Sequence, residues 1–599
     1  MRRKLATIAQ SAFRAVFNER VLARIVTALA FLGSVNLATV PVGFDTIDFV
    51  KKINYIDYLL YLLCIVLLLS VVSKLVKFNS DAYALAVAAG FYCCYMAFRH
   101  RNLYFSIGLL LVVSVIGYYL MRDDKLNLAR MKFGLRPALY TAGAAAVFFA
   151  VYVGGLTTLR YLNYSTSTYD FGIFSQMFYY MKETFLPYTT CERSELLSHF
   201  AVHLSPIYYL LLPGYLIFPS PVYLQIMQAL IVASAVIPLF LLARRNRLSY
   251  KATAALCAAF CFHPALAGSC FYDIHENLFL APLLLWLFYF IECRQWKLMY
   301  LFGLLACFVK EDAAFYVACA ALFLFFSKKE KKHGAALFSV SVIYFFLAIM
   351  FINSFGEGAM ISRYGNFISD SEWGLLSVFR TIISNPAYIL TEVFVQEKAA
   401  YMLIMLVPVA FLPLLNRDLS QMILLLPFLV INLMSNYPYQ HSILFQYNFG
   451  TLAFFYYLVI LNIPKFGAKH KKYGLTLMVA ASVIMFISQV GGYTNNIQNY
   501  INNREKFAEI TRALNAIPQD ASVRASGYFV PRLAARRELY DIQYSNDVEK
   551  AENADYIAID MRPGAEQYSE QIVQEYMSRG YETADCRVDL YCILKKPEL

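Results

Sequence analysis

Residues Val222–Ala243 read VYLQIMQALIVASAVIPLFLLA and run straight into Arg244-Arg245-Asn246-Arg247-Leu248-Ser249-Tyr250-Lys251. The apolar run is long enough to cross a hydrocarbon core of ~30 Å, which takes about 20 helical residues. It ends on three arginines and a lysine, the charges that mark the cytoplasmic side of a membrane helix. Upstream, the apolar segment 205–218 is bounded by Pro206 and by Pro219-Ser220-Pro221. At roughly 14 residues it is too short to cross, so it is predicted to lie along the interface or to re-enter. The run at 137–157 follows a basic loop, 122–136, carrying Arg122, Lys125, Arg130, Lys132 and Arg136. That loop is cytoplasmic, residues 158–204 are outside, and 222–243 is the single crossing that brings the chain back.

The same parity argument extends in both directions. Before it, apolar runs lie near 24–43, 57–76, 81–98 and 103–121; after it, near 251–268, 277–293, 297–309, 313–326, 334–352, 399–416, 419–435, 449–464 and 473–490. Basic connections at 1–24, 328–332 and 465–472 belong inside. Between 293–297 and the lysines at 328–332 an even number of crossings is needed. Two short helices meeting at Lys310-Glu311-Asp312 supply it and place three consecutive charges at an outer hairpin tip. The expectation is about fifteen crossings, N-terminus cytoplasmic and C-terminus extracytoplasmic, in the cytoplasmic (plasma) membrane.

Composition agrees. The 599 residues are 59% hydrophobic and only 15% charged, with mean hydropathy +0.52; a soluble chain carries about 25% charged residues. The net charge of +12 gathers in short loops, where it sets topology rather than binding nucleic acid. Met1-Arg2-Arg3-Lys4, with Arg14, Arg20 and Arg24, precedes an apolar run with no small-x-small cleavage site, which reads as a retained helix. Of 12 cysteines most sit in apolar runs. Cys191, Cys270, Cys586 and Cys592 fall on the oxidising side, and their spacing leaves pairing open.

Residues 492–599 change character, becoming polar and mixed in charge. Helical spacing at 503–516 and 565–579, the latter ending at Gly580, alternates with strand-like Val523-Arg524-Ala525, Tyr556–Asp560 and Tyr591–Leu594. A small extracytoplasmic α/β domain of about 100 residues is expected. The predicted domains are 1–135 (four helices), 136–491 (the main membrane domain, with an outer loop at 158–221) and 492–599.

The polar residues of the outer side concentrate the chemistry. Asp170, in Ser165-Thr166-Ser167-Thr168-Tyr169-Asp170-Phe171-Gly172, follows a membrane helix. It reads either as a helix N-cap or as a base that accepts a hydroxyl proton. His199 and His203 share a face if their stretch is helical. Asp273-Ile274-His275-Glu276 lies in a short turn between membrane helices; it either satisfies helix ends or holds a phosphate or divalent cation. Lys310-Glu311-Asp312 is either a solvated tip or a charged site facing a wet cavity, with Lys310 neutralising phosphate. Arg380, Lys398, Gln440, His441 and Tyr447 also fall outside. So do five of the eight histidines: His100, His199, His203, His275 and His441.

Several segments together resemble an uncharacterised family of predicted multi-pass membrane proteins, over roughly residues 137–599. They are Tyr169–Gln176 (YDFGIFSQ), His203–Pro206 (HLSP), Asp273–Glu276, Lys310–Asp312 and Ala521–Ser526 (ASVRAS). That family in turn resembles a divergent branch of the GT-C glycosyltransferases, which implies a polytopic helical bundle with a catalytic first outer loop. By position Asp170 matches the loop's essential Asp; Glu276, Glu311 or Asp312 would fill the second acidic role. The resemblance implies a polyprenyl-phosphate sugar donor in the bilayer and an extracytoplasmic glycan, lipid or protein acceptor. His203, His275, Lys310, Arg380, His441 and Tyr447 are the candidates for binding substrate or phosphate. No Asp-x-Asp motif lies in the outer loops near these sites; a divalent metal stays open and no other cofactor is implied. The four N-terminal helices depart from the family plan. A transporter or flippase is the alternative; it would use midplane polar groups such as His263-Pro264 inside span 251–268. A receptor or scaffold binding through the tail is a third.

Overall fold

The structure is a computed structural model describing residues 18–127, 132–166, 169–193, 195–355, 361–369, 375–544 and 548–597. Arg2, Arg3, Lys4, Arg14, Arg130 and Ser167-Thr168 lie outside the described residues. Among the described residues ten helices are long and apolar enough to cross a membrane, and Trp296–Cys307 and Ala313–Phe326 are shorter apolar helices. The chain groups into two compact units, residues 1–134 with 467–492, and 135–466 with 493–599. Helix Ala468–Val490 thus joins the N-terminal helices, whereas the sequence boundaries place it in the main membrane domain.

In the first unit the helices Glu19–Thr39, Tyr55–Leu75, Ser80–His100 and Leu103–Arg122 each start on an asparagine: Asn18, Asn54, Asn79 and Asn102. In each case its side chain accepts a backbone N–H of the first turn. Capping of this kind satisfies donors that the helix itself cannot. Tyr55–Leu75 buries no residue within the protein, so its uniformly apolar surface is left for lipid. Arg24 and Asp81 form an ion pair at 2.9 Å, and Ser106 bonds Ser488 at 2.7 Å.

In the second unit, residues 205–218 form a 3₁₀ segment, Pro206–Leu210, and a short helix, Leu212–Ile217. Pro221–Arg245 follows as the long span. Helices are also expected at 399–416 and 419–435, but the backbone breaks both. Helix Gln396–Leu406 gives way to 3₁₀ turns at Leu412–Leu414 and Leu419–Leu425 and a π-helical turn at Phe428–Leu433. Ala410 and Phe411 have positive φ, 49° and 55°. Pro408, Pro413 and Pro427 explain the interruption, since proline lacks the amide donor and clashes with the preceding turn. An apolar run therefore need not be one helix, and the count of about fifteen crossings treats these segments as if each were.

The tail opens with helix Asn495–Asn515. Strands β3 (Val523–Ala525), β4 (Leu539–Asp541), β5 (Tyr556–Asp560), β6 (Glu582–Arg587) and β7 (Tyr591–Lys595) follow β1 (Tyr188–Thr189) and β2 (Leu197–Ser198), an antiparallel pair in the outer loop. The tail sheet has the order β4-β3-β5-β7-β6, with β3 parallel to β4 and β5 and the β5–β7 and β7–β6 pairs antiparallel. β4 and β6 were not expected from the sequence. Cys586 and Cys592 are joined in a disulfide between β6 and β7, while Cys191 and Cys270 are free and buried. One core cluster combines Phe507, Ile510, Leu514, Val523, Ala558 and Ile593 of the tail with Tyr164, Ile173 and Cys191 of the outer loop. The tail is packed onto that loop.

Candidate active site

Asp170 lies in the first turn of helix Tyr169–Thr184, and its carboxylate turns away from capping. Oδ2 accepts a 2.6 Å hydrogen bond from the Tyr272 hydroxyl, and His275 Nε2 approaches the same oxygen at 3.4 Å. Burial favours the neutral acid, but the bonds from His275 and Tyr272 outweigh it and hold the pKa below the ordinary carboxylate range. The side chain is still 32% exposed. It is therefore an oriented, ionised carboxylate that a second molecule can reach.

The turn supplying Tyr272 and His275 is itself constrained. Asp273 has φ +73°, a left-handed conformation that Asp tolerates better than most residues. Its buried carboxylate accepts from Gln225 at 2.8 Å and lies 3.4 Å from Arg160 Nη1. Arg160 also donates to the Phe271 carbonyl. The His275 ring stacks on Tyr272 at 5.0 Å and meets Phe174 edge-on at 4.9 Å.

Next along the chain, Glu276 is 1% exposed. Lys310 Nζ reaches its Oε1 at 3.0 Å, and the Tyr208 hydroxyl donates to Oε2 at 2.8 Å. Lys310 is as deeply buried, so the hairpin tip is not a solvated one. Burial works against its charge, yet Glu276 raises its pKa and keeps it an ammonium. Glu311 bonds His203 Nδ1 at 2.9 Å and accepts the Leu204 amide at 3.2 Å. Burial opposes ionisation there too, but His203 lowers its pKa. Asp312 is shifted the other way: burial and the neighbouring Glu311 raise its pKa, although Lys310 opposes them. Adjacent carboxyls are thus pushed apart, the arrangement that separates proton acceptors from proton holders.

Asp170, His203, His275, Glu276, Lys310 and Glu311 accordingly form one network, with Asp312 and Tyr447 within electrostatic reach of Lys310. His441 is drawn off to Glu397 at 3.2 Å, and Arg380 is exposed on helix Leu375–Ser384. His199 shares neither a helix nor a ligand with His203: it pairs with Glu192 at 3.2 Å, the rings 6.0 Å apart. Sequence reasoning passed over Tyr208, Tyr272 and Arg363. Arg363 sits over the rings of Tyr437 and Tyr447 at 4.9 and 5.4 Å and shares its charge environment with Asp312 and Glu311. Among the described residues no three His, Cys, Asp or Glu side chains converge as metal ligands. His263 caps helix Pro264–Cys270, accepts the Ala265 amide and lies 3.1 Å from the Met405 carbonyl.

No curated protein matches the chain. Among solved structures, ArnT from Cupriavidus metallidurans, crystallised with undecaprenyl phosphate, is similar at 12% identity with a TM-score of 0.46, over 75% of this chain and 97% of that one. A family model described as "Predicted membrane protein (DUF2079)" matches residues 160–590, and this chain belongs to that family.

Proposed function

We propose that the protein is a membrane glycosyltransferase that moves a sugar from a polyprenyl-phosphate donor to an extracytoplasmic acceptor with inversion. The observation that carries this reading is the contrast within the network. Glu276 and Lys310 are sealed, whereas Asp170 is oriented by two donors and reachable.

In the proposed step the acceptor oxygen attacks the anomeric carbon as the bond to the phosphate oxygen breaks. Asp170 takes the acceptor proton, and the lipid phosphate leaves with the bonding electrons. Lys310 has one carboxylate partner among the described residues. Because it is sealed, its charge acts on the leaving phosphate through the field of the site and not by contact. Arg363 is a better second cation than Arg380, because it lies beside Tyr447 rather than on an exposed helix face. Glu276, Glu311, His203 and His275 fix these two poles. Asp312, Tyr447 and His441 remain candidates for contacting the sugar. A divalent ion is not required by this scheme. The topology that goes with it has the N-terminus inside and the tail outside, where a Cys586–Cys592 disulfide is stable.

The test is a transfer assay on purified protein in liposomes, with a panel of labelled polyprenyl-phosphate sugars and an envelope acceptor extract. Label should move with the wild type and not with Asp170→Asn. Full activity in a folded D170N protein would overturn the assignment. The transporter reading draws support from the broken backbone at 407–434. The buried Asn432 there is engaged by the carbonyls of Gln440 and Tyr447 and by the Thr451 hydroxyl. That is the wiring of a packed turn rather than a substrate path.

A further inference from the structure

The turn that leads toward Asp170 is held by the tail at the Asn163 and Tyr164 carbonyls and at both of their side chains. Helix Leu135–Leu162 ends at Asn163 and Tyr164. Arg562 Nη1 donates to the Asn163 carbonyl at 3.0 Å and Nη2 to the Tyr164 carbonyl at 2.8 Å. The guanidinium is gripped in turn by Asp560 at the end of β5, at 2.6 to 3.2 Å from Nε and Nη2, and Asp560 is fully buried. Asn163 Nδ2 donates to the Asn496 carbonyl at 2.9 Å, and the Tyr164 hydroxyl meets Thr511 at 2.8 Å.

Tyr164 has φ +52°. A bulky side chain adopts that region only when its surroundings over-determine it. Its ring lies against Phe507 and Phe529, with Arg562 over its face at 5.7 Å. Beyond Asp170 the same helix is docked again: a side chain at Gly172 would collide with Val530, and Gln176 Nε2 donates to the carbonyls of Arg536 and Arg537 at 3.2 Å. The Asn163–Tyr164 turn and the helix that bears Asp170 are thus each docked on the tail.

We infer that Arg562, backed by Asp560, is a positioning residue that sets the placement of Asp170 through the Asn163–Tyr164 turn, and that the tail is a working part of the membrane site. The catalytic half of this statement rests on the proposed transfer reaction; the mechanical half does not. A guanidinium fork is needed, since it bonds two carbonyls and a carboxylate at once.

The test is hydrogen exchange by mass spectrometry on the full-length protein, comparing wild type, Arg562→Lys and Arg562→Ala. Losing charge-assisted bonds of this kind should speed exchange in peptides spanning 163–172 by about tenfold or more in R562A. Peptides from β3, β5 and β7 should stay protected, and R562K should fall in between. In the transfer assay R562A should lower kcat with the donor KM unchanged. Unchanged exchange at 163–172 overturns the inference, as does a loss of protection throughout the tail in both variants. Should the wild type transfer no sugar, the exchange result still decides the positioning claim, while the reaction proposal fails on its own.

Discussion

Each unit buries an ion pair among apolar helices, and the two are built differently. In the N-terminal unit Arg24 is closed on every side: Nε and Nη2 reach Asp81 at 2.9 Å, Nη1 reaches Ser70 at 2.8 Å and Nη2 reaches Ser73 at 2.7 Å. All of its partners come from neighbouring helices, and the result is a fully satisfied clamp. In the second unit Lys310 is a point charge with a single carboxylate at 3.0 Å, next to histidines, tyrosines and the accessible Asp170. The first pair is partly buried and the second fully so. The Arg–Asp pair ties helices together, whereas the Lys–Glu pair is sealed within a network that also holds the accessible Asp170.

The sharpest break between the two would come from activity. Asp170→Asn should cost about 10²–10⁴-fold in transfer rate with a fall in thermal stability too small to account for it, and Arg24→Met should leave the rate per folded molecule intact. Next in size is stability. Lys310→Met strands Glu276 and should cost about 3–5 kcal/mol, as should Arg24→Met by stranding Asp81. Pairing Lys310→Met with Glu276→Gln should recover most of the stability but no activity. Recovery of activity by that double variant would remove Lys310 from the mechanism. Thermal unfolding in detergent alongside the transfer assay reads both.

The pH response is smaller. Asp170 and Glu311 are held below their ordinary range, the first against burial by His275 and Tyr272, the second against burial by His203. Their stabilisation is fully present above the unfolded carboxylate pKa of about 4 and is lost as pH falls through the folded values. Stability should be flat across neutral pH and fall below about pH 4, and Glu311→Gln should flatten that fall. The tail should show the opposite sign at one site. Burial raises Asp541 to about 6, so its charge disfavours folding as pH rises from about 4 to about 6. Asp541→Asn should raise the unfolding temperature at pH 8 and not at pH 4; an equal gain at both would show that its charge is not the cause.

Much of this was legible in the chain. Long apolar runs marked the membrane-length helices, and the expense of three consecutive charges between apolar helices pointed to Lys310-Glu311-Asp312. What stayed hidden has physical reasons. Tyr208 and Tyr272 are two of 46 tyrosines, and hydroxyl donors carry no spacing signal in so aromatic a chain. Arg363 and Arg380 both lie between helices Lys331–Phe355 and Gln396–Leu406, and only the fold shows that Arg363 lies over the Tyr437 and Tyr447 rings. β6 is exposed along its whole length, so it lacks the alternation that marks a half-buried strand. The breaks at 407–434 were written in Pro408, Pro413 and Pro427, but hydropathy alone overrode them.

The tail core borrows Tyr164, Ile173 and Cys191 from a loop that precedes it by more than three hundred residues. During synthesis that loop is delivered early, while its partners are still unmade. Until the tail leaves the ribosome, helix Tyr169–Thr184 has Tyr208 and Tyr215 against Phe178 and Tyr272 bonded to Asp170, but lacks Val530 and the tail core. The docking of that helix is therefore completed last. A chain cut short in its final stretch would carry its membrane helices but leave Tyr164, Ile173 and Cys191 without the core that they complete.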